Sequence, residues 1–282
     1  MEIKDIVIVL VLYKPNTKQL DNLKMLSSSA DVIAVDNTPL PQNNTVEDIG
    51  LVEYVSIGKN VGIACAQNIG IDRAIQSGYN YILFLDQDSV VDKKFLRDIM
   101  LEYQHIKSID SRIAALGPRI VNIKDGKPYK DSIGDKDFAI VDTIISSGTL
   151  VETKNLQRVG GMEEDLFIDV VDHEWCWRCK SNGYNVYMTR RVHMHHEVGN
   201  NTVHFLGLQL LLSSPFRYYY KYRNSIWMMK RDYVPFIWKI KKIIWLLLYM
   251  LTFTWWSIID SSKKDFLQYS IKGIKAGLFP NK

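Results

Sequence analysis

The segment YNYILFLDQDSVVD, residues 79–92, joins an apolar strand to a pair of acids. Residues 81–85 carry no charge, which is typical of an interior strand that is covered on both faces of a sheet. The run ends in Asp86 and Asp88, and two carboxylates at the end of an interior strand are costly unless a cation or ligand uses them. Carboxylate oxygens suit Mg²⁺ and Mn²⁺, and open α/β sheets bind ligands beyond the carboxyl ends of their strands. The alternative is a polar turn in which Asp88 or Ser89 caps the next helix.

Outward from this segment, strands and helices alternate through the first part of the chain. Strands are predicted at residues 5–13, 31–35 and 51–57, and helices at 20–29 and 60–77. This alternation predicts an α/β fold with a mostly parallel central sheet flanked by helices. The middle of the chain is less regular, with strands predicted at 113–119, 138–145 and 184–188 and helices at 156–161 and 169–181.

The composition, 47% apolar and 23% charged residues, is that of a globular protein. No signal-peptide pattern precedes the first apolar run, and three cysteines without such a signal favour reduced thiols in the cytoplasm. Cys176 and Cys179 form a C-x-x-C inside a predicted helix. A redox motif normally opens a helix and a zinc site needs two more ligands, so neither site is expected.

Residues 215–282 differ in composition from the rest of the chain. They contain thirteen Lys and Arg against three Asp and Glu, and an uncharged run at 243–259 holds three tryptophans between lysines. Aromatic and basic flanks are typical of membrane interfaces. We therefore predict a catalytic domain at 1–214 and a helical region at 215–282 that associates peripherally with the anionic inner face of the cell membrane. The alternatives are a spanning helix, and a helical hairpin buried against the body of the protein or against a subunit of a homo-oligomer. Nucleic-acid binding is not expected, because the basic residues lie beside Trp and Leu runs.

A second acidic cluster lies in FIDVVDHEW, residues 167–175. Asp169 and Asp172 are three residues apart and share one face if the helix begins early. One of them is expected to be a general base, which must lie within hydrogen-bond reach of the hydroxyl it deprotonates. The alternative is that the acids simply stabilise a helix N-terminus.

Three histidines follow within four residues. His193 and His195 would share one face of a strand and His196 the other. Because histidine is a common metal ligand, one of them is expected to complete a site that Asp88 begins.

Taken in order, these segments resemble the inverting family-2 glycosyltransferases, and most closely the bacterial rhamnosyltransferase branch. The matching segments are VLVLYKPN (9–16), AVDNT (34–38), GKNVGIACAQNIGI (58–71), FLDQDS (84–89), ISSGTL (145–150), GGMEEDLFIDVVDHEWCWR (160–178), HHEVG (195–199) and RYYYKYRN (217–224). Gln87 departs from a strictly acidic centre of the family's D-x-D, although both flanking acids are kept. The resemblance implies the nucleotide-diphospho-sugar transferase (GT-A) fold with a C-terminal helical appendage.

The resemblance also implies site residues. Asp172 falls where the family has its catalytic base, and Asp88 and His196 fall at its ligands for Mg²⁺ or Mn²⁺, with His195 as the adjacent alternative. The nucleotide and donor sugar are expected at Leu12, Tyr13, Asp36, Asn60, Asn68, Asp86, Arg217 and Arg223. The acceptor is expected at Ser147, Gly148, Glu174 and Trp175. For the two arginines, contact with phospholipid or with the surface is an equal alternative.

The implied activity is transfer of L-rhamnose from dTDP-rhamnose to a polyprenyl-diphosphate-linked saccharide, in the assembly of O-antigen or capsule. Alternatives are a UDP- or GDP-linked donor, a metal-dependent phosphoesterase that uses Asp86, Asp88, Asp172 and His196, and a non-catalytic membrane scaffold. A nucleotidyltransferase is disfavoured, because VLYKPN lacks the glycines of a triphosphate-binding loop.

Overall fold

The computed structural model describes residues 5–39, 53–122, 133–196, 202–205 and 208–279, with the backbone alone at 195, 196, 202, 204, 205 and 208. The strands are β1 Ile6–Leu12, β2 Asp31–Asp36, β3 Glu53–Ser56, β4 Tyr81–Asp86, β5 Ile113–Asn122, β6 Phe138–Ile140, β7 Leu150–Glu152, β8 Asn185–His196, β9 Thr202–Phe205 and β10 Leu208–Leu211. The helices are α1 Thr17–Ser27, α2 Ile63–Gln76, α3 Lys93–Ile109, α4 Thr153–Val159, α5 Val171–Ser181, α6 Pro215–Met229, α7 Phe236–Ile259 and α8 Lys264–Leu278.

Within the described ranges, eight strands form one sheet in the order β3-β2-β1-β4-β7-β5-β8-β6. Strands β1 to β4 run parallel to one another, as their alternation with helices predicts. Strand β7 enters antiparallel between β4 and β5, and β6 is antiparallel to β8. The predicted α/β fold is confirmed, and its sheet is parallel in the first half and mixed in the second.

Strand β1 shows how the sequence builds two cores. All seven of its residues are buried. Val7, Val9 and Val11 pack into the core on the face of α2 and α5, while the alternating Ile and Leu residues pack on the face of α1 and α3. Gly70 of α2 lets that helix approach closely, since a Cβ there would lie 2.4 Å from Val9 Cγ1. Burial on both faces explains why β1 is apolar without a break.

Several predicted boundaries differ from the structure. Helix α3 is capped by Asp92, whose side chain accepts the Phe95 N–H, so the alternative of a cap at Asp88 or Ser89 is wrong. The strand predicted at 138–145 stops at Ile140, and the one predicted at 184–188 continues through β8. The C-x-x-C lies inside α5, where burial raises the pKa of the Cys176 thiol to about 12.

Helices α6, α7 and α8 form the predicted C-terminal helical appendage. Tyr218, Tyr222 and Phe253 are the buried centre of a small core of their own. Glycines let α8 lie directly on α6, because a Cβ at Gly273 would be 2.3 Å from the Tyr219 carbonyl oxygen. Among the described helices, α7 alone is long and apolar enough to cross a membrane by length and composition, and 11% of that stretch is buried. The division at residue 214 stays a prediction.

Candidate active site

The turn that follows β4 presents the first pair of acids. Asp86 is the last residue of the strand and is half-buried, whereas Asp88 is exposed. Ser147 supports the turn from behind: its Oγ accepts the Asp86 N–H at 3.1 Å and lies 2.8 Å from Ser89 Oγ. The turn is therefore held by its neighbours while the Asp88 carboxylate faces solvent.

Gln87 ties this turn to the end of β1. Its Oε1 accepts the Tyr13 N–H at 2.8 Å, and its Nε2 donates to the Tyr13 carbonyl at 3.3 Å. A carboxylate can accept but cannot donate, so only an amide makes both bonds. The departure from an acidic centre in the D-x-D thus has a structural purpose, which the sequence pattern does not reveal.

The residues expected to hold the nucleotide meet at the same edge of the sheet. Leu12 pairs with Asp36 across β1 and β2, and Val11 pairs with Asp86 across β1 and β4. Leu12 is buried, whereas Tyr13 is 41% exposed. The Asp36 carboxylate is buried and accepts hydrogen bonds from the Thr38 N–H and the Tyr54 hydroxyl. The structure therefore brings Leu12, Tyr13, Asp36 and Asp86 together.

Asn60 lies beside this edge in the loop before α2. Its Oδ1 accepts hydrogen bonds from Asn37 Nδ2 and the Gly62 N–H, each at 3.0 Å. Asn37 in turn accepts the Val61 N–H. This pair of amides fixes the loop next to Asp36.

Asn68 of α2 is hydrogen-bonded to the segment before α5. Its Nδ2 donates to the Met162 carbonyl and to Glu164 Oε1, and its Oδ1 accepts the Met162 N–H at 2.7 Å. The amide ties α2 to the segment before α5. The assignment of Asn68 to the donor pocket stays a prediction.

Ser147 and Gly148 lie in the interior, next to the turn after β4. Ser147 is 1% exposed and belongs to the support of the acidic turn. Gly148 donates its N–H to the Phe84 carbonyl at 2.8 Å, and a Cβ there would lie 2.8 Å from Met194 Sδ. Both positions are filled by protein contacts, and their assignment to the acceptor stays a prediction.

Glu174 and Trp175 also point into the protein. Glu174 is 0% exposed and makes ion pairs with Arg178 and Arg231 as well as accepting the Tyr233 hydroxyl at 2.6 Å. Trp175 donates its Nε1–H to the Gly160 carbonyl. The rotation of α5 turns these two residues toward the core, and their assignment to the acceptor stays a prediction.

The loop before α5 has an unusual backbone. Phe167, Asp169 and Val170 have φ values of 64°, 66° and 65°. Such values are uncommon outside glycine and are costly for a β-branched residue. The helix therefore begins only at Val171, and the prediction that Asp169 and Asp172 share a helical face is wrong.

Asn224 of α6 holds this loop in place. It is 0% exposed, and its Nδ2 donates to the carbonyls of Leu166 and Ile168 at 2.8 Å and of Asp169 at 3.2 Å. On the opposite side, the Phe167 carbonyl accepts the Ile63 N–H at the start of α2. A helix of the appendage thus maintains the conformation of the loop that precedes Asp172.

The two arginines of α6 lie in different places. Arg217 makes a two-bond ion pair with Asp169, with Nη2 at 2.6 Å and Nε at 3.3 Å from its oxygens. Arg223 packs against the rings of Tyr220 and Trp227 and donates to the Leu166 carbonyl. Arg223 therefore attaches the helix to the body, and its assignment to the donor stays a prediction.

Asp172 lines a cleft of about 440 Å³ between the body and the appendage. The other lining residues are Ile63, Gln67, Ile145, Ser146, Ile168, Asp169, Val170, Val171, His173, Arg217, Lys221, Trp238 and Lys242. Asp172 is half-buried, and its Oδ1 accepts the His173 N–H at 2.9 Å. The cleft brings the expected base together with one of the expected arginines and two lysines that sequence reasoning missed. The spacing of Arg217 and Lys221 by one helical turn is the signal that would have found the first of these lysines.

The histidines expected as metal ligands fall in β8. His195 and His196 pair by backbone with Val121 and Asn122 of β5, and their side chains lie outside the described part of the chain. Among the described side chains, no group of three His, Cys, Asp or Glu residues is arranged to hold a metal. The turn after β4 supplies two groups of this kind, the carboxylates of Asp86 and Asp88.

No family model matches the chain. Among curated proteins it is 32% identical over 286 residues to dTDP-rhamnosyl transferase RfbF of Shigella flexneri, a match that covers 96% of this chain and 93% of that protein. It is also 21% identical over 201 residues to the low-salt glycan biosynthesis hexosyltransferase Agl10 of Haloferax volcanii, covering 64% of each.

Solved structures with the same fold include S. aureus TarS and GalNAc-T7 with UDP, GalNAc and Mn²⁺, each with a TM-score of 0.53 and 13% identity. The chain spans 43% of each of these two structures. In the shorter TarS 1–349 structure, the match covers 96% of this chain and 82% of that one. At this identity the likeness shows the fold alone.

Proposed function

The chain belongs to the rhamnosyltransferase branch of the inverting family-2 glycosyltransferases, and we propose that it transfers L-rhamnose from dTDP-rhamnose to a saccharide hydroxyl. It is a hexosyltransferase with the GT-A fold, which takes a nucleotide-sugar donor and a saccharide acceptor. One observation carries the choice of donor. The similarity to a protein named dTDP-rhamnosyl transferase extends over 96% of this chain and 93% of that one.

The proposed donor site is the edge where β1, β2 and β4 end. The exposed ring of Tyr13 offers a flat surface to a nucleotide base. Each oxygen of the Asp36 carboxylate already accepts one hydrogen bond and has capacity for a second, which suits a ribose hydroxyl or a base N–H. Asn60 and Gln87 keep the surrounding loops in position.

A divalent cation fits the turn after β4. Mg²⁺ is commonly held by one or two carboxylates together with substrate phosphates, and the exposed Asp88 beside Asp86 supplies such a set. We assign Asp88 as the direct ligand, Asp86 to the donor sugar or ribose, and His196 as a further ligand. When bound, the cation would offset the negative charge that develops on the departing diphosphate.

Asp172 is the proposed general base. It lies in a cleft large enough for a sugar, where its half-buried carboxylate can accept the proton of an acceptor hydroxyl. The hydroxyl oxygen attacks the anomeric carbon as the bond to the nucleoside diphosphate breaks. A single displacement of this kind inverts the anomeric configuration and needs no covalent nucleophile.

The proposed acceptor is a polyprenyl-diphosphate-linked saccharide at the inner face of the cell membrane. Helix α7 exposes Ile244, Leu247, Leu251 and Trp255, and lysines flank it at both ends. An apolar helix face with basic flanks suits an anionic membrane surface. This supports peripheral association of a cytoplasmic enzyme in surface-polysaccharide assembly.

Donor specificity is tested by calorimetric titration of the full chain with dTDP-rhamnose, dTDP, UDP- and GDP-sugars, with and without Mn²⁺. Metal-dependent binding of dTDP and dTDP-rhamnose, and not of the others, is expected. A preference for UDP- or GDP-sugars would mean that the donor is not dTDP-rhamnose. Folded protein that binds no nucleotide would instead favour the phosphoesterase or scaffold alternatives.

Membrane association is tested by sedimentation with anionic vesicles. The double substitution Leu247→Glu/Leu251→Glu places charge on the exposed face of α7 and is expected to leave the protein in the supernatant. The pair Lys94→Glu/Arg97→Glu, on exposed positions of α3, is the control. Equal sedimentation of the α7 variant and the wild type would count against surface association.

A further inference from the structure

The wall of the Asp172 cleft that the appendage contributes is cationic. Arg217 and Lys221 come from α6 and Lys242 from α7, while the acids Asp169 and Asp172 come from the loop before α5 and from α5 itself. Asp169 is paired with Arg217. Lys221 donates to the neutral Ser213 hydroxyl at 2.7 Å, and the described ion pairs give it no carboxylate partner. Lys221 is therefore a cation of this wall for which the described ion pairs show no acidic partner.

Partial burial of the Lys221 ammonium group costs free energy. It lies over the Tyr218 ring, 4.7 Å from its centre, in a half-buried position. Burial lowers the pKa of Lys221 to about 8; Asp169 acts in the opposite direction, and the positive charges of Arg217 and Lys242 lower it further. A half-buried ammonium beside two other cations is a site that a polyanion would stabilise.

This wall is formed by residues other than those of the proposed donor edge. None of Leu12, Tyr13, Asp36, Asp86 and Asp88 is among the described residues that line the cleft. The wall is instead continuous with α7. Trp238 lines the cleft and packs on Trp177 of the body, 4.9 Å between ring centres, and the exposed apolar face of α7 begins within the next two turns.

We propose that Lys221 and Lys242, together with Arg217, bind the diphosphate of the lipid-linked acceptor. The lipid chain would then lie along α7 while the sugar hydroxyl reaches Asp172 inside the same cleft. Lysine serves here as a point charge that follows a flexible phosphate, and Arg217 adds a fixed pair of donors. This inference rests on the proposed function, because it names the group by which that acceptor is held.

The test measures diphosphate binding without any transfer. The full chain in detergent micelles is titrated with farnesyl diphosphate, with farnesol, and with dTDP plus Mn²⁺. Lys221→Gln/Lys242→Gln is compared with Lys264→Gln/Lys275→Gln, which removes the same charge from exposed positions of α8. Lys221→Arg/Lys242→Arg keeps the charge and shows whether the site tolerates substitution, and thermal unfolding confirms that each variant is folded.

Loss of the two cleft lysines is expected to weaken farnesyl diphosphate binding by at least about tenfold, since each charge-assisted contact is strong. The affinity for dTDP, the α8 control and the arginine variant should stay close to wild type, and farnesol should bind more weakly than farnesyl diphosphate.

Three results would overturn the inference. Farnesyl diphosphate affinity that survives loss of both lysines means that the diphosphate binds elsewhere. A parallel loss of dTDP affinity means that the wall serves the nucleotide. Farnesol binding as tight as farnesyl diphosphate means that only the lipid is recognised. If the wild type binds farnesyl diphosphate through the lysines but binds no nucleotide, the proposed transferase function fails while the diphosphate site stands.

Discussion

The two acidic segments of the site are held in different ways. The turn after β4 follows from the strand itself, with the Asp86 and Ser89 positions fixed by the adjoining loop at Ser147 and by sheet register. The loop before α5 has three residues with positive φ, and Asn224, which lies 55 to 58 residues further along the chain, donates to its carbonyls. The first segment is a local product of the sheet, and the second depends on the appendage.

This difference gives the appendage a second role. Helix α6, which holds the loop before α5 through Asn224, also packs against α7 and α8, so a movement of α7 or α8 acts on the geometry around Asp172. The turn after β4 has no such connection among the contacts described above. Substitutions in the turn after β4 are therefore expected to change donor binding, and substitutions in the loop before α5 are expected to change the rate of the chemical step.

The largest effect is expected from Asp172→Asn. Removing the proposed general base should lower kcat by about 10²- to 10⁴-fold, because proton transfer from the acceptor hydroxyl loses its acceptor. The rate of rhamnose transfer measures this. Asp165→Asn, an exposed acid just before the same loop, is the control and should keep near-normal turnover. Retained turnover in Asp172→Asn would remove it from the base role.

The next effect is expected from Asp88→Ala. The concentration of Mn²⁺ that gives half-maximal transfer should rise at least about tenfold, since a carboxylate ligand is lost. A metal titration of the transfer rate measures it, with Asp98→Ala of α3 as a control outside the turn. An unaltered metal requirement would mean that Asp88 is not a ligand.

A smaller effect is expected from Asn224→Ala. It leaves three loop carbonyls without their donor, which should cost about 1–3 kcal/mol of unfolding free energy and lower kcat more than donor affinity. Chemical denaturation and steady-state kinetics measure both. Ser225→Ala, buried one position along in the same helix, is the matched control. Equal losses in kcat and donor affinity would argue against a specific action of Asn224 on the loop before α5.

The smallest effect is expected from Gln87→Met. The side chain keeps its size but loses both bonds to Tyr13, so donor affinity should fall by a few fold, as for about 1 kcal/mol of neutral hydrogen bonding. The rate at saturating donor should not change. A fall in that rate with unchanged affinity would show that the turn after β4 takes part in the chemical step.

The sheet and its ligand-binding edge could be predicted from the sequence because strands covered on both faces are apolar without interruption. That pattern placed β1, β2 and β4, and with them the carboxyl-end positions of Tyr13, Asp36 and Asp86. Strand β7 was missed because it has only three residues, Leu150–Glu152, and enters the sheet antiparallel.

The conformation of the loop before α5 could not be predicted in the same way. The amino acids at positions Asp169 and Val170 do not predict a positive φ. The conformation is maintained by Asn224, which lies on a helix far along the chain. The orientation of Glu174 depends on the rotation of α5, and its partner Arg231 lies beyond α6. Such tertiary contacts leave no periodic trace in the sequence.

Donor affinity, measured side by side in Asp88→Ala and Asp172→Asn by calorimetric titration with dTDP-rhamnose and Mn²⁺, distinguishes the two acidic segments most directly. If the turn after β4 holds the donor and Asp172 with the loop before it performs the chemistry, Asp172→Asn binds dTDP-rhamnose as the wild type does and Asp88→Ala binds it far more weakly. Wild-type affinity in Asp88→Ala, or lost affinity in folded Asp172→Asn, would contradict that division of roles.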